Sequence, residues 1–453
     1  MRGTRAALLL LLASLLPAVS LAQRPAPPAR HVVLISIDGL RPDYYLPSAS
    51  RLTKTPVLDA LRARGSWAEG VVGVFPSLTY PSHTSIVTGV RPALHGVVQN
   101  TAFAPGGGGS WFFESSVLKV PTLWDTAREA GLTTAGISWP VTVGAPIDYL
   151  LPETNQAPRD STWLDLMRRQ STPGLVDAVV ERLGGFEPDA NRDYVQRDRF
   201  STAAASVIIE RHRPNLLLIH LVEADTAQHQ RGPNSPQAVA AMARIDASIG
   251  TILQSIEAAG MTASTAVVIT GDHGFYRVHS AFQPNVVLRE AGLIEVDGAG
   301  AVTSWQAMAH RAAIRLKDPS DAALAARVEQ LFGDLADGRY KGLFRVVARD
   351  EIAARGGDPE ALLFLEPSEG YTTAAGMTGE FLVSSARHGD HGYTPDAPAM
   401  HTGLIAAGAG IQRGIGMPLA RQIDIGPTVA RLLGLTLPRA EGVAMVGLLE
   451  RQK

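Results

Sequence analysis

The 453-residue sequence contains no cysteine. That excludes disulfides and a lipid-modified cysteine, and it leaves histidine and carboxylate as the ligands for any metal. A charge excess is also missing. Against 41 Lys and Arg stand 43 Asp and Glu, a formal net charge of -2, which offers no bulk attraction for a polyanion and no reason to expect a stable nucleic-acid complex. Beyond the N-terminus there is no long apolar run, so no membrane span is expected in the mature chain. Apolar residues still make up 45%, enough for a sizeable core and too many for wholesale disorder.

The N-terminus has the three parts of a signal peptide. Arg2 and Arg5 are basic, Leu8 to Leu16 form a short apolar run, and Ser20-Leu21-Ala22 is a small-x-small cleavage site. Residues 1–22 are therefore expected to be removed near Ala22, giving a periplasmic or secreted protein whose formal charge moves from -2 to -4 as two arginines are lost. Residues 23–30, with Pro25, Pro27 and Pro28, form a stiff leader. Residues 31–453 are expected to be the catalytic domain.

Along that domain, unbroken β-branched runs alternate with helical stretches. His31 to Ile37, Leu216 to Val222 and Thr265 to Thr270 are strand runs, and Leu404 to Ala407 is a weaker fourth. Runs without alternation suit strands buried on both faces of a parallel sheet. Helical stretches at Val57 to Arg64, Thr122 to Ala130 and Ala238 to Ala259 complete an α/β pattern with helices on both faces. The last of these carries Arg244, Asp246 and Glu257, expected to form a solvated face. Residues 278–385 differ in composition and are expected to form an inserted cap subdomain. Gly106 to Gly109 is expected to be a surface connection.

Position points to the chemistry. Ligands of open α/β sheets bind outside the carboxyl ends of the strands. Each of the three strong strand runs here leads into an aspartate: Asp38, Asp225 and Asp272. His229 follows Asp225 by four residues, and His273 adjoins Asp272. A fourth segment, Arg387-His388-Gly389-Asp390-His391-Gly392-Tyr393, offers further imidazoles between turn glycines. One aspartate at a strand end is ordinary turn chemistry. Three, two of them with a histidine close by, suit a pair of zinc-like ions. The segment Phe75 to Ser85 reads as a loop opening a helix, with Pro81 in the first turn. Thr79, just ahead of that helix, would sit in a positive backbone field, where a hydroxyl beside a divalent ion can act as a nucleophile.

These residues resemble the nucleotide pyrophosphatase/phosphodiesterases of the alkaline phosphatase superfamily. The anchors, in order, are Ile37-Asp38-Gly39, Phe75 to Pro81, Thr88-Gly89-Val90-Arg91-Pro92, His95 to Asn100, Asp225 with His229, Gly271 to Gly274 and His391-Gly392-Tyr393. The resemblance implies an alkaline-phosphatase-like fold and two zinc ions. Asp38, Thr79, Asp272 and His273 would hold one ion, with Thr79 also the nucleophile. Asp225, His229 and His391 would hold the other, His391 being preferred over His388 because the family ligand directly precedes Gly-Tyr. Asn100 would bind a phosphate oxygen, and Tyr80 would stack on a nucleobase or leaving group. The implied reaction is hydrolysis of a small phosphodiester or phosphoanhydride, with nucleotides first among substrates, through a phospho-threonine intermediate. Phosphomonoester hydrolysis, carbon–phosphorus cleavage as in phosphonoacetate hydrolases, and a non-catalytic metal-binding role are the alternatives. A monoester dianion would need an added cation, and the sequence shows no obvious one. A sulfatase is excluded by the missing Cys/Ser-x-Pro-x-Arg motif.

The sequence departs from the family at two positions. Gln228 stands where the family has Gly, and His220 where it often has Tyr; both are expected beside the substrate pocket. His83 and His95 are expected to be structural, Arg91 to support its loop, and His279 and His401 are further pocket candidates.

Overall fold

A computed structural model of the chain describes residues 27–47, 51, 53–154 and 160–450. The expected signal peptide and the first half of the leader lie outside the described residues. No helix among the described residues is long and apolar enough to cross a membrane.

The main sheet has nine strands. Eight lie in the order Ile415–Met417, Ser66–Val72, Thr402–Gly408, Thr265–Gly271, His31–Ile37, Leu216–Leu221, Thr134–Ile137 and Tyr149–Leu151, and Ala420–Arg421 also pairs with Ser66–Val72. His31–Ile37 is central and runs parallel to both neighbours, Leu216–Leu221 on one side and Thr265–Gly271 on the other. Thr402–Gly408, expected from its apolar run to be parallel, instead enters antiparallel to both its neighbours. A run buried on both faces reports burial, not direction, so the sequence could not separate the two cases.

Successive side chains of the central strand serve opposite layers. Val33, Ile35 and Ile37 pack with Phe200, Ile208, Ile245 and Ile249 from the helices Tyr194–His212 and Pro236–Ala258. Val32 and Leu34 face the other way, toward Ile86, Trp124 and Val429 from the helices Thr79–Thr88, Leu123–Glu129 and Ile425–Leu432. The sheet is thus covered on both faces, and its strand ends are held rigidly in register.

One charged residue departs from the expected solvated face. Asp246 is 2% exposed. Its two oxygens accept from the backbone N–H groups of Val57 and Leu58, at 3.0 and 2.9 Å. It caps the helix Pro56–Arg64, which has no cap of its own at Thr55. Arg244 on the same helix pairs with buried Glu223.

Between the last strong strand run and the His391 segment, the chain builds further sheets. Tyr276–Phe282 pairs with Gly370–Thr373, Leu382–Ser384 and Gly389–Asp390. A separate four-stranded antiparallel sheet, in the order Ala307–His310, Ala313–Leu316, Leu363–Pro367 and Phe344–Ala348, packs with the helix Ala322–Asp337 around Val328, Phe332 and Leu363. Gly107 and Gly108 are exposed with open space around them.

Candidate active site

The site grows from the carboxyl ends of the three central strands. Asp38 follows His31–Ile37, and Gly39 then turns with φ +71°. A Cβ at Gly39 would come within 2.7 Å of Gln228 Nε2 and of the Phe275 ring, so glycine is required there twice over. Asp272 follows Thr265–Gly271, and its Oδ1 accepts from the N–H groups of Gly39 (2.9 Å) and His273 (3.0 Å). Asp225 and His229 lie one turn apart on the helix Glu223–Arg231, which directly follows Leu216–Leu221. Thr79 is the first residue of a helix, Thr79–Thr88, whose ten residues are all buried. Its hydroxyl therefore lies at the positive end of that helix.

Two groups of ligand-type atoms form. In one, His273 Nε2 lies 3.3 Å from Asp38 Oδ1, 3.2 Å from Asp272 Oδ2 and 3.4 Å from Thr79 Oγ1. His273 Nδ1 faces the Gly274 carbonyl at 3.2 Å, so it carries the proton and Nε2 presents a lone pair. In the other, His229 Nε2 and His391 Nε2 lie 3.3 and 3.6 Å from Asp225 Oδ1. Their Nδ1 atoms donate to the carbonyls of Gly389 (2.8 Å) and Ser77 (3.0 Å), again leaving both lone pairs facing inward. The rings of His273 and His391 stack with centroids 3.4 Å apart, which joins the two groups back to back.

The electrostatics fit cations. Asp38 Oδ1, Asp272 Oδ2 and Asp225 Oδ1 are buried without a hydrogen-bond partner, a costly state unless something positive sits between them. Burial, then the neighbouring Asp225, raises Asp38 well above the ordinary carboxylate range. Burial and Asp38 push Asp272 up to about 8. Burial holds His273 below its ordinary value and His391 well below it, so both imidazoles are neutral, the form that ligates metal. Burial opposes both charges of the Asp225–His229 pair, yet each partner favours the charged form of the other, the acid lowered and the imidazole raised; a bound cation would compete with the proton for His229 Nε2. Nitrogen and oxygen donors without sulfur, in these two groups of three, suit two zinc-like ions, while a third group, His83, His220 and Asp272, shares Asp272 with the first.

Asp38, Thr79, Asp225, His229, Asp272, His273 and His391 thus converge, whereas His388 is exposed and bonds through its backbone, its N–H donating to the His229 carbonyl and its carbonyl accepting from Val278. Asn100 Oδ1 accepts from the Tyr80 N–H at 3.0 Å, which places its amide beside Thr79. Tyr80 does not offer the open ring expected of a stacking platform. It is 1% exposed, because Trp111 and Phe113 cover it at centroid distances of 5.2 and 6.3 Å. The partly open aromatic surface next to the nucleophile segment belongs to Trp111 and Phe113, which no spacing in the sequence connects to Thr79.

The two departures from the family pattern also lie elsewhere than expected. Neither lines an open pocket. Gln228 is fully buried and bridges the Gly39 carbonyl and the Tyr44 hydroxyl, each at 3.0 Å. His220 is 1% exposed and sits beneath Asp38, with Nε2 3.1 Å from Asp38 Oδ2 and Nδ1 3.1 Å from the Ser138 carbonyl. His83 joins it there, 3.7 Å from Asp272 Oδ2, and donates to the Thr79 carbonyl at 2.8 Å. His95 bonds Ser85 and the Val97 N–H away from the centre. Arg91 is engaged with Glu441. His279 is exposed on a strand face, and His401 packs over Gly70.

A family model described as type I phosphodiesterase/nucleotide pyrophosphatase matches residues 32–394. The chain belongs to this family. Among relatives, human ectonucleotide pyrophosphatase/phosphodiesterase family member 1 is 23% identical over 253 residues, covering 53% of this chain and 23% of that protein. Human family member 5 is 24% identical over 427 residues, covering 90% and 76%. This phosphodiesterase-family chain therefore spans about a quarter of the length of family member 1. The solved structure of murine ectonucleotide pyrophosphatase/phosphodiesterase 5 superposes with a TM-score of 0.67 at 20% identity, covering 93% of this chain and all of that one. An inactive threonine-to-alanine variant of the same murine protein, in complex with AMP, matches with a TM-score of 0.65 at 19% identity over 93% of this chain. The chain shares the fold of these solved structures.

Proposed function

We propose that this chain is an exported hydrolase of phosphodiester or phosphoanhydride bonds in small nucleotides, with Thr79 as nucleophile and two zinc ions as cofactors. The observation that carries the proposal is the set of three buried, unpartnered carboxylate oxygens on Asp38, Asp272 and Asp225, grouped with the imidazoles of His273, His229 and His391, with the Thr79 hydroxyl 3.4 Å from His273 Nε2. Asp38, Asp272, His273 and Thr79 would hold one ion, and Asp225, His229 and His391 the other. Bound there, the ions would supply the positive charge that favours an ionised threonine oxygen and stabilises the departing one.

The chain's own residues do the rest. The Thr79 hydroxyl stands 3.4 Å from His273 Nε2, within the group that would hold the first ion; with that lone pair given to the ion, the hydroxyl proton would pass to solvent as the oxygen attacks phosphorus. At the start of this helix the Tyr80 N–H is held by Asn100 Oδ1, Pro81 has no N–H and the Ser82 N–H bonds the Leu78 carbonyl, so the Thr79 N–H and the Asn100 amide NH2 are the groups that would receive a non-bridging phosphate oxygen. The leaving group departs from the face opposite Thr79, on the side of Asp225, His229 and His391. Attack of water on the phospho-threonine then releases the product and restores the hydroxyl. Nucleotides are favoured because Trp111 and Phe113 stand beside Tyr80, and because a structural neighbour is recorded in complex with AMP. Export rests on the segment ending at Ala22.

Thr79→Ala should abolish turnover of the 4-nitrophenyl ester of thymidine 5′-monophosphate while retaining two zinc ions per chain by elemental analysis. Normal turnover by that variant would end the nucleophile assignment.

A further inference from the structure

Two guanidinium groups approach the centre from the side of Asp225, His229 and His391. Arg311 occupies the two-residue turn between the strands Ala307–His310 and Ala313–Leu316, and its φ is +55°. Glycine adopts that conformation without strain, whereas a branched or long side chain pays roughly 1 kcal/mol to do so. The strained turn aims the side chain inward: Arg311 Nη2 lies 3.5 Å from Asp390 Oδ1, and a Cβ on Gly392 would come within 3.7 Å of it. Arg387 Nη1 reaches the same Asp390 oxygen at 3.1 Å and lies 3.4 Å from His229 Nδ1. The turn is fixed from its other side by a 3.0 Å contact between His310 Nε2 and the Thr101 hydroxyl, one residue after Asn100.

The charges do not balance. Asp390 is 2% exposed and already accepts from the Thr372 hydroxyl and the His391 N–H. One carboxylate faces two guanidinium groups, leaving one positive charge uncompensated within this group. Half-buried Glu366 is turned to the N–H and hydroxyl of Thr394, and Asp225, which also feels Arg387, is committed to the group with His229 and His391. Arg311 and Arg387 keep 34% and 47% of their side-chain surface exposed, so their remaining N–H donors are open to a ligand. Arg387 belongs to the His391 segment, but Arg311 comes from a hairpin far from every motif, so no spacing in the sequence pairs the two.

We propose that Arg311 and Arg387 form an anion subsite on the leaving-group side of the centre and select substrates whose leaving group itself carries phosphate. The subsite rests on the reading that Thr79 attacks phosphorus opposite the Asp225 side. It makes a nucleoside polyphosphate, which releases pyrophosphate, a better substrate than a diester with an uncharged substituent at that position. Guanidinium forks match phosphate oxygens in pairs, and removing one such contact at a partly exposed site costs about ten-fold in binding.

The test uses the zinc-loaded full chain with ATP and with the 4-nitrophenyl ester of thymidine 5′-monophosphate. The readout is the ratio of kcat/KM for the two substrates. Arg311→Gly, which removes the side chain and suits the left-handed turn, should lower that ratio about ten-fold. Arg311→Gly combined with Arg387→Ala should lower it about a hundred-fold, and Arg311→Lys should recover part of the loss. Pyrophosphate should weaken as an inhibitor of ester hydrolysis by matching factors. An unchanged ratio in the double variant, or equal losses on both substrates, overturns the subsite. A wild-type chain that cleaves the ester but not ATP also overturns it, with the proposed function left standing. Failure on both substrates rejects the proposed function itself.

Discussion

Replacing Asp272 by asparagine should make the metal-free chain more stable and the zinc-loaded chain less so. Without a cation, Asp272 is buried beside Asp38, and its folded pKa is pushed up to about 8 from an ordinary 3.8. Between those values the unfolded chain has released the proton and the folded chain still holds it. The unfolded state therefore binds fewer protons, so stability falls as pH rises, and the loss is complete above about pH 8. At roughly 1.4 kcal/mol per pKa unit, this one group costs about 5 kcal/mol at pH 8 and almost nothing near pH 4. That is a large share of the roughly 5–15 kcal/mol typical of a folded domain. Asparagine cannot ionise, yet it keeps the oxygen that accepts from Gly39 and His273, and its amide nitrogen would face the His273 lone pair at about the present 3.2 Å. Urea unfolding in the presence of a chelator at pH 5, 6.5 and 8 should show a gain for Asp272→Asn that grows by several kcal/mol across the series. Added zinc should reverse the order, because it stabilises the wild type through linkage and binds the variant poorly. A variant less stable than wild type in chelator at pH 8, or a gap that does not change with pH, refutes the reasoning.

Two further outcomes follow from buried contacts. His220→Leu removes the imidazole that packs beneath Asp38 and should weaken zinc binding about 10- to 100-fold in competition with a chromophoric chelator, whereas His220→Gln, which can still place a polar group against Asp38 Oδ2, should restore most of it; equal zinc affinity in wild type and leucine variant rejects the positioning role. Asp246→Ala leaves the N–H groups of Val57 and Leu58 without their acceptor and should cost about 1–3 kcal/mol in denaturant unfolding, with zinc content unchanged.

What was legible in the sequence, and what was not, divides along a physical line. The three aspartates could be placed because each follows an unbroken apolar run, and such runs end at the same edge of a parallel sheet. Linear order is then enough to bring Asp38, Asp225 and Asp272 together. Side-chain direction within the core has no such linear signature. Asp246 reads as one more polar residue on a helix, and only the approach of the Pro56–Arg64 helix turns it into a buried cap. His220 sits inside a strand, where period-two alternation assigns it a face but does not say that Asp38 lies against that face at 3.1 Å.

The same reasoning explains why Tyr80 and Arg311 escaped. Tyr80 adjoins the nucleophile, so adjacency suggested contact with substrate, but its exposure is set by Trp111 and Phe113, about thirty residues away in sequence. Arg311 is further still from any motif, and its relevance depends on a hairpin folding back over Asp390. Metal ligands must converge on a point, and that requirement constrains their positions tightly enough to leave a pattern in the chain. Groups that shape a substrate's far end need only reach a volume, which many segments can do. Catalytic identity should therefore be readable from strand ends in such sheets, while leaving-group preference is decided by whichever inserted turn happens to cover them.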